Sequence, residues 1–302
     1  VVSAVHTPVL LEEVIEWLRI RPDGTYVDAT VGLGGHAVEI AKRLTTGRLI
    51  GMDRDAQALE LARERLSEFG ERVTLVHARF SRIDEVMREL HAGADGVLAD
   101  LGVSSLQLDL PERGFAFRFA GPLDMRMDSA EARTTAGIVN YWPEKDLANL
   151  IYRYGEERDS RRIARAIVRA RPIRDTEHLA TVVAGVKTPW GRQKLQHAAT
   201  KTFLALRIAV NDELEELERL LEKTPATLNA HGRWVMLTYH SLEDRLVKRA
   251  FQEQARRGML RVLTKKVQRP SAVEVQRNPR ARSAKLRAAE RLPAAAESSE
   301  RQ

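Results

Sequence analysis

The stretch that most constrains this chain is a glycine turn at 32–35, set between a short β-favouring run and a helical one. The run 25–30 follows the turn signal Pro22, Asp23, Gly24, and 37–44 has helical spacing after Gly32, Gly34 and Gly35. A strand, a turn without Cβ atoms and a helix start let backbone N–H groups approach a ligand closely. A second β-favouring run ends at Asp53, eighteen residues past Gly35. An acidic side chain roughly 20 residues beyond such glycines is placed to hold a ribose hydroxyl. The stretch predicts a nucleoside-type cofactor.

Spacing alone does not choose the cofactor. A dinucleotide turn reads G-x-G-x-x-G/A, and Gly32, Gly34 and Ala37 satisfy its looser form. Asp28, at the end of the first run, argues the other way. A carboxylate there repels a pyrophosphate but suits a sulfonium or an ammonium, which favours S-adenosylmethionine.

Strand and helix patterns alternate from there. Runs at 48–53, 73–78 and 95–101 read as strands two to four, and 56–69 and 83–90 as helices. This predicts an α/β fold, a doubly wound, Rossmann-like parallel sheet covered on both faces. Before it, Thr7 and Pro8 signal the start of a helix whose apolar face carries Leu10, Leu11, Val14, Trp17 and Leu18. From 104 to 200 no strand pattern is evident, and helices are expected at 143–154, 158–171 and 175–186. The domain reading is 1–103 and 201–292 for the sheet, 104–200 for an inserted all-helical, substrate-recognising domain, and 293–302 for a mobile tail. A long helix is expected at 200–221, with Phe203, Leu206, Val210, Leu214, Leu217 and Leu221 as core. The sheet resumes at 233–240. Ser241 to Asp244 has capping-box spacing, and 260–266 with 283–288 reads as an edge pair.

Composition narrows the function classes. The 302 residues contain no cysteine, which removes a disulfide framework, a thiol nucleophile and cysteine-ligated metal. Eight histidines are scattered without ligand-like spacing, so no structural metal is expected. No apolar run reaches about 18 residues and no signal peptide is visible, so the expectation is a cytoplasmic protein with no membrane role. The net charge is +7, and 256–291 holds twelve Lys/Arg against two Glu, which points to a polyanionic partner.

Four polar groups fall beyond the carboxyl ends of the predicted strands, where ligands of such sheets sit: Asp28, Asp53, Asp100 and His240. Phe80, after strand three, can pack an adenine face or belong to the core. Asp100 suits an amine substrate. The lone pair of an exocyclic cytosine amine is delocalised into the ring. A carboxylate accepting its N–H bonds, with a carbonyl of Leu101 or Gly102, turns the nitrogen into a better nucleophile. His240 is the next candidate for that role. Arg158, Arg161, Arg162, Arg165 and Arg169 lie at helical spacing opposite Ile163 and Ile167, a face of one sign suited to phosphates. Phe115, Phe117 and Phe119 are candidates for a ring that stacks on the base, or alternate as in a strand buried on one face, and Asp124 to Asp128 reads as an ion-pair cluster.

Longer motifs add to these. They are His6-Thr7-Pro8-Val9-Leu10, Asp100-Leu101-Gly102-Val103-Ser104-Ser105, Arg113-Gly114-Phe115 and the stretches 121–128, 154–157, 162–167, 240–245 and 278–283. Together they resemble the bacterial 16S ribosomal RNA cytosine-N4 methyltransferases, almost end to end. The resemblance implies a class I methyltransferase using S-adenosylmethionine, with cofactor contacts at Gly34, Gly35, His36, Asp53, Phe80, Asp100 and Gln107. It implies a substrate cytidine in the decoding region, near the P site of the small ribosomal subunit. Two departures stand out: Thr238-Tyr239 where the family often has Ser/Ala-Phe, and a stretch at 256–270 shorter than in some members. A homodimer is compatible with the chain. The rival readings are a nicotinamide oxidoreductase on the same sheet and a non-enzymatic RNA-binding protein.

Overall fold

A computed structural model describes residues 8–187 and 192–293. His6 and Thr7, expected to open the first helix, and the tail from 294 onward lie outside the described residues. The described chain divides into two compact units. One is made by the residues up to Gly102 together with those from Glu215 on, and the other is Val103–Leu214.

The first unit is built on a sheet of seven strands: β1 Thr25–Asp28, β2 Arg48–Asp53, β3 Val73–His77, β4 Ala94–Asp100, β5 Leu228–Thr238, β6 Leu260–Val262 and β7 Lys285–Arg291. Their order is β3-β2-β1-β4-β5-β7-β6. The first five run parallel, while β7 pairs antiparallel with both β5 and β6. The doubly wound α/β fold is therefore present. Helices α1 Leu11–Leu18, α2 Gly35–Ala41, α3 Ala56–Leu66 and α4 Ile83–Glu89 follow the strand alternation.

Successive strand residues face opposite sides, and β4 and β5 show why both sides must be covered. Leu98, Val235 and Leu237 join one apolar cluster with Val14, Leu18, Ala37, Ile40 and Leu59; Val97, Ala99, Trp234 and Met236 join another with Ile83 and Val86. Each leucine-sized side chain so buried contributes about 1.5–3 kcal/mol. Helix α1 starts later than the Pro8 signal suggests. Leu10 takes a left-handed conformation (φ 52°), and its N–H donates to Glu274 Oε1 at 2.7 Å.

The second unit contains α5 Ser105–Asp109, α6 Thr135–Tyr141, α7 Glu144–Gly155, α8 Ser160–Arg169, α9 Thr176–Lys187 and α10 Arg192–Asn211, with no strand among the described residues. The alternating phenylalanines do not form the strand expected of them. Phe115 is buried, Phe117 meets Phe203 edge to face with ring centroids 4.7 Å apart, and Phe119 is exposed. Glycine is required at the contact of α7 with α10, since a Cβ on Gly155 would sit 2.6 Å from the Lys201 carbonyl oxygen.

The long helix expected at 200–221 is two helices, α10 and α11 Glu213–Thr227, separated at Asp212 (φ 50°). The insertion accordingly runs to Leu214, past the boundary read at 200. Helical spacing of the apolar residues continues across the break, so periodicity conceals it. Asn211, the last residue of α10, is anchored at the break. Its buried side chain accepts from Met127 N–H (2.8 Å) and donates to the Met125 carbonyl (2.7 Å). Beyond α11 the chain returns to the sheet through β5, followed by α12 Ser241–Arg256 and α13 Ala272–Arg277. No helix among the described residues is long and apolar enough to cross a membrane.

Candidate functional site

The strand order reverses between β1 and β4, and a crevice opens outside the carboxyl ends of strands at such a point. Three aspartates stand there, each the last residue of its strand: Asp28 on β1, Asp53 on β2 and Asp100 on β4. The glycine turn lies between them in the chain. Gly32 and Gly34 have φ of 51° and 79°, which a side chain would strain, and Gly34 caps α2. Backbone N–H groups of the turn and of the segments beside it engage the acids. Gly32 donates to Asp53 Oδ2 at 2.8 Å, Asp55 N–H to Asp53 Oδ1 at 2.9 Å, and Thr30 N–H to Asp28 Oδ1 at 3.2 Å. The Thr30 hydroxyl oxygen accepts from Asp100 N–H at 2.7 Å.

Burial decides the electrostatics of this edge. Asp28 is 1% exposed, and burial pushes its carboxyl up to about 7; the charges of Asp100 and Asp53 push the same way, against the Thr30 N–H bond. Burial likewise raises half-buried Asp53 to about 6, against the bonds from Asp55 and Gly32. A buried carboxyl raised by burial and by neighbouring carboxylates marks a place short of positive charge. A cationic ligand relieves it and a pyrophosphate worsens it. The residues therefore fit a sulfonium- or ammonium-bearing nucleoside.

His36, in the first turn of α2, is buried and held by a 2.9 Å hydrogen bond between Nε2 and the Val9 carbonyl. Burial lowers its pKa to about 4, so the ring is neutral. A carbonyl can only accept, so Nε2 carries the proton and Nδ1 presents a lone pair. That Nδ1 lies 3.8 Å from Asp100 Oδ2. The other oxygen of Asp100 accepts from the Tyr239 hydroxyl at 2.7 Å. Tyr239 carries no role in the sequence reading. Its one signal was a hydroxyl where the resembled family often has phenylalanine.

The remaining expected residues are placed as follows. Phe80 follows β3, half-buried against the cluster that includes Ala78, at the same edge of the sheet. His240 lies just beyond β5 as the cap of α12. Glu243 N–H reaches its Nδ1 at 3.5 Å, and Glu243 Oε1 lies 3.0 Å from its Nε2, too obliquely for a hydrogen bond. Its ring is engaged with the helix start, and the group that reaches Asp100 from this segment is Tyr239. Gln107 belongs to the second unit, where it closes a capping box with Ser104 in α5.

Also in the second unit, Ile163, Ala164 and Ile167 bury one face of α8, while Arg161, Arg162, Arg165 and Arg169 are exposed on the other; Arg158 is exposed in the turn before it. Arg162, Arg165 and Arg169 line an open groove of about 490 Å³ floored by Ala166 and Ala170. The face is less uniform in charge than its sequence. Asp159 lies 3.3 Å from Arg162 and Glu144 lies 3.5 Å from Arg165. Asp124 and Arg126 form the expected ion pair at 2.8 Å.

A doubly wound sheet whose switch point carries a glycine turn and acidic strand ends defines a protein of the nucleoside-cofactor-binding α/β class. The profile of the MraW methylase family matches residues 3–292, and the chain belongs to that family. A relative from Koribacter versatilis (strain Ellin345), named ribosomal RNA small subunit methyltransferase H, is 50% identical over 295 residues, covering 95% of this chain and 94% of its own. Proteins of the same name from Solibacter usitatus (strain Ellin6076) and Gloeobacter violaceus are 51% and 50% identical, covering 94% and 98% of this chain and 99% and 91% of their own.

Proposed function

We propose that this chain is an S-adenosylmethionine-dependent methyltransferase of the small-subunit ribosomal RNA, and that it methylates the exocyclic N4 amine of a cytidine in the decoding region of 16S rRNA. The observation that carries the reading is the acidic edge at Asp28, Asp53 and Asp100, set around a glycine turn in a chain of a methylase family. The cofactor, when bound, supplies a methyl group activated on a sulfonium. Asp53 accepts from its ribose hydroxyls, Phe80 packs against its adenine, and Gly34, Gly35 and His36 border it at the start of α2. Gln107 is proposed as a further cofactor contact.

Asp100 accepts an N–H of the substrate amine and orients its lone pair for in-line attack. The cytosine must leave its stack, at a cost of about a few kcal/mol that a single-stranded site reduces. The arginines of α8, with Arg158, contact phosphates and so position the RNA. His240 fixes the turn that carries Tyr239. Neither rival reading explains the acidic edge, which disfavours a dinucleotide pyrophosphate and serves no purpose in a protein that only binds RNA.

Calorimetry with S-adenosylhomocysteine, NAD and NADP, followed by methylation of unmodified small-subunit particles and nucleoside mass spectrometry, tests the proposal. Binding of the first alone and appearance of N4-methylcytidine are expected. Tight NAD binding, or a particle left unmodified, overturns it.

A further inference from the structure

We propose that Tyr239 is a positioning residue for Asp100: its hydroxyl holds the carboxylate in the orientation that receives the substrate amine. The inference rests on the methyl-transfer reading above and adds to it a residue that the reading does not use. Tyr239 Oη lies 2.7 Å from Asp100 Oδ1, the length of a strong hydrogen bond between a hydroxyl and a carboxylate. The direction of the bond is settled by chemistry. Burial, and next the charge of Asp100, push the phenol well above its ordinary value. The phenol therefore keeps its proton and is the donor.

The tyrosine is itself fixed from several sides. Its N–H donates to Glu243 Oε2 at 2.9 Å, and its ring packs on the apolar cluster of α1 and α2. A Cβ built on Gly102 would touch the ring at 3.5 Å, and Gly102 has φ 105°. The backbone just past Asp100 thus passes beside the tyrosine in a conformation that glycine permits. On the far side of the carboxylate, Nδ1 of His36 presents a lone pair at 3.8 Å from Oδ2. That nitrogen repels Oδ2 rather than anchoring it, since the ring proton is on Nε2 at Val9. Tyr239 therefore resists rotation about the Asp100 side chain, and His36 adds no hydrogen bond to it. A phenylalanine at 239 fills the same space without that restraint.

The test is a double-mutant cycle with Tyr239→Phe and Asp100→Asn, read in single-turnover methylation of small-subunit particles at saturating cofactor and in calorimetry with S-adenosylhomocysteine. Tyr239→Phe alone is expected to lower the single-turnover rate about 10-fold, with the particle's apparent affinity within about 2-fold of wild type. In the Asp100→Asn background the same change should cost less than about 2-fold, because the group it orients is already altered. A merely structural tyrosine gives equal losses in both backgrounds, and that additivity overturns the proposal, as does a Tyr239→Phe enzyme with the wild-type rate. If the wild-type protein methylates no particle, the functional reading fails. The calorimetric cycle then decides Tyr239 alone: non-additive losses of cofactor affinity support the contact's role, and additive ones refute it.

Discussion

Asp53 shows how one residue's position can be read early and its energetics only late. Its offset from the glycines predicts a ribose ligand, and the structure adds that one oxygen already accepts the Gly32 N–H of the turn and the other the Asp55 N–H just past β2. Loss of the carboxylate therefore costs the hydrogen bonds to the ribose and loosens the glycine turn. Asp53→Ala is expected to weaken S-adenosylhomocysteine by about 10- to 100-fold, the worth of a hydrogen bond to a charged group; an unchanged dissociation constant removes Asp53 from the ribose. Asp28 carries a different prediction. Its carboxyl stands at about 7 in the folded protein, raised by burial from its ordinary 3.8. Between about pH 4 and 7 the folded state holds a proton that the unfolded state has shed. Stability of the ligand-free protein should fall as pH rises through that window, by on the order of a few kcal/mol, and level off above it. Asp53, at about 6, adds a fall in the lower part of the same window. Urea melts of wild type and Asp28→Asn at about pH 5 and 7.5 check the sign: the difference should shrink in the variant, and equal differences refute it. A cationic cofactor favours the charged form of Asp28, so its affinity should rise with pH through about 7. Tyr239 marks the limit of reading at this scale. The contact with Asp100 joins residues 139 apart, and nothing local in either stretch encodes it. The proton position on His36 is equally out of reach, since it depends on the carbonyl of Val9.

At the scale of elements, strands were legible where an apolar run had turn signals on both sides, as at β1, β2 and β4. The alternating phenylalanines were less so. Phenylalanines at 115, 117 and 119 alternate like a strand, yet their backbone has no partner strand and they are spread from core to surface. The break at Asp212 was invisible because leucines continue in helical register on both sides, feeding first the helical unit's core and then the sheet's. Helix α8 is the element whose amphipathic pattern, arginine opposite isoleucine, the sequence shows most directly. The structure adds two acids to this face: Asp159, at the cap of the helix itself, lies near Arg162, and Glu144 of α7 lies near Arg165. Binding of RNA phosphates there competes with these neighbours, so each arginine releases less than a full counterion's worth of free energy. Replacing Arg161, Arg162 and Arg165 with Gln should weaken binding to the small-subunit rRNA and reduce the slope of log K against log salt by up to about 2. Cofactor affinity should stay within about 2-fold of wild type. Filter binding at several salt concentrations reads the slope, and an unaltered slope turns this face away from RNA.

Charge and chemistry of the whole molecule bear on how the methyl group can be delivered. The net charge of +7 is in part already answered within the fold. In the basic C-terminal stretch, Arg256 and Arg257 meet Glu253, Arg261 meets Glu290, and Lys285 and Arg287 meet Asp244. Lys265, Lys266, Arg269, Arg277 and Arg282 are exposed, and these with α8 supply the field for a polyanion. The absence of cysteine from all 302 residues has a sharper consequence than the charge. Methylation at a cytosine ring carbon requires that carbon to be made nucleophilic, by addition of a thiolate to the ring and its later elimination. No side chain here offers that thiolate. An exocyclic amine needs no such adduct: its lone pair attacks directly, the N–H bonds being oriented by an acceptor such as Asp100, and the surplus proton leaves afterwards. The two routes part on a 5-fluorocytidine substrate. After thiolate addition and methyl transfer, a fluorine at C5 cannot leave as a proton does, and enzyme and RNA stay covalently joined. Direct attack at N4 never bonds enzyme to base. Small-subunit RNA carrying 5-fluorocytidine should therefore be methylated at N4 with no complex surviving a denaturing gel. A gel-stable complex between this chain and that RNA would require an enzyme nucleophile other than cysteine, and would end the direct-attack mechanism.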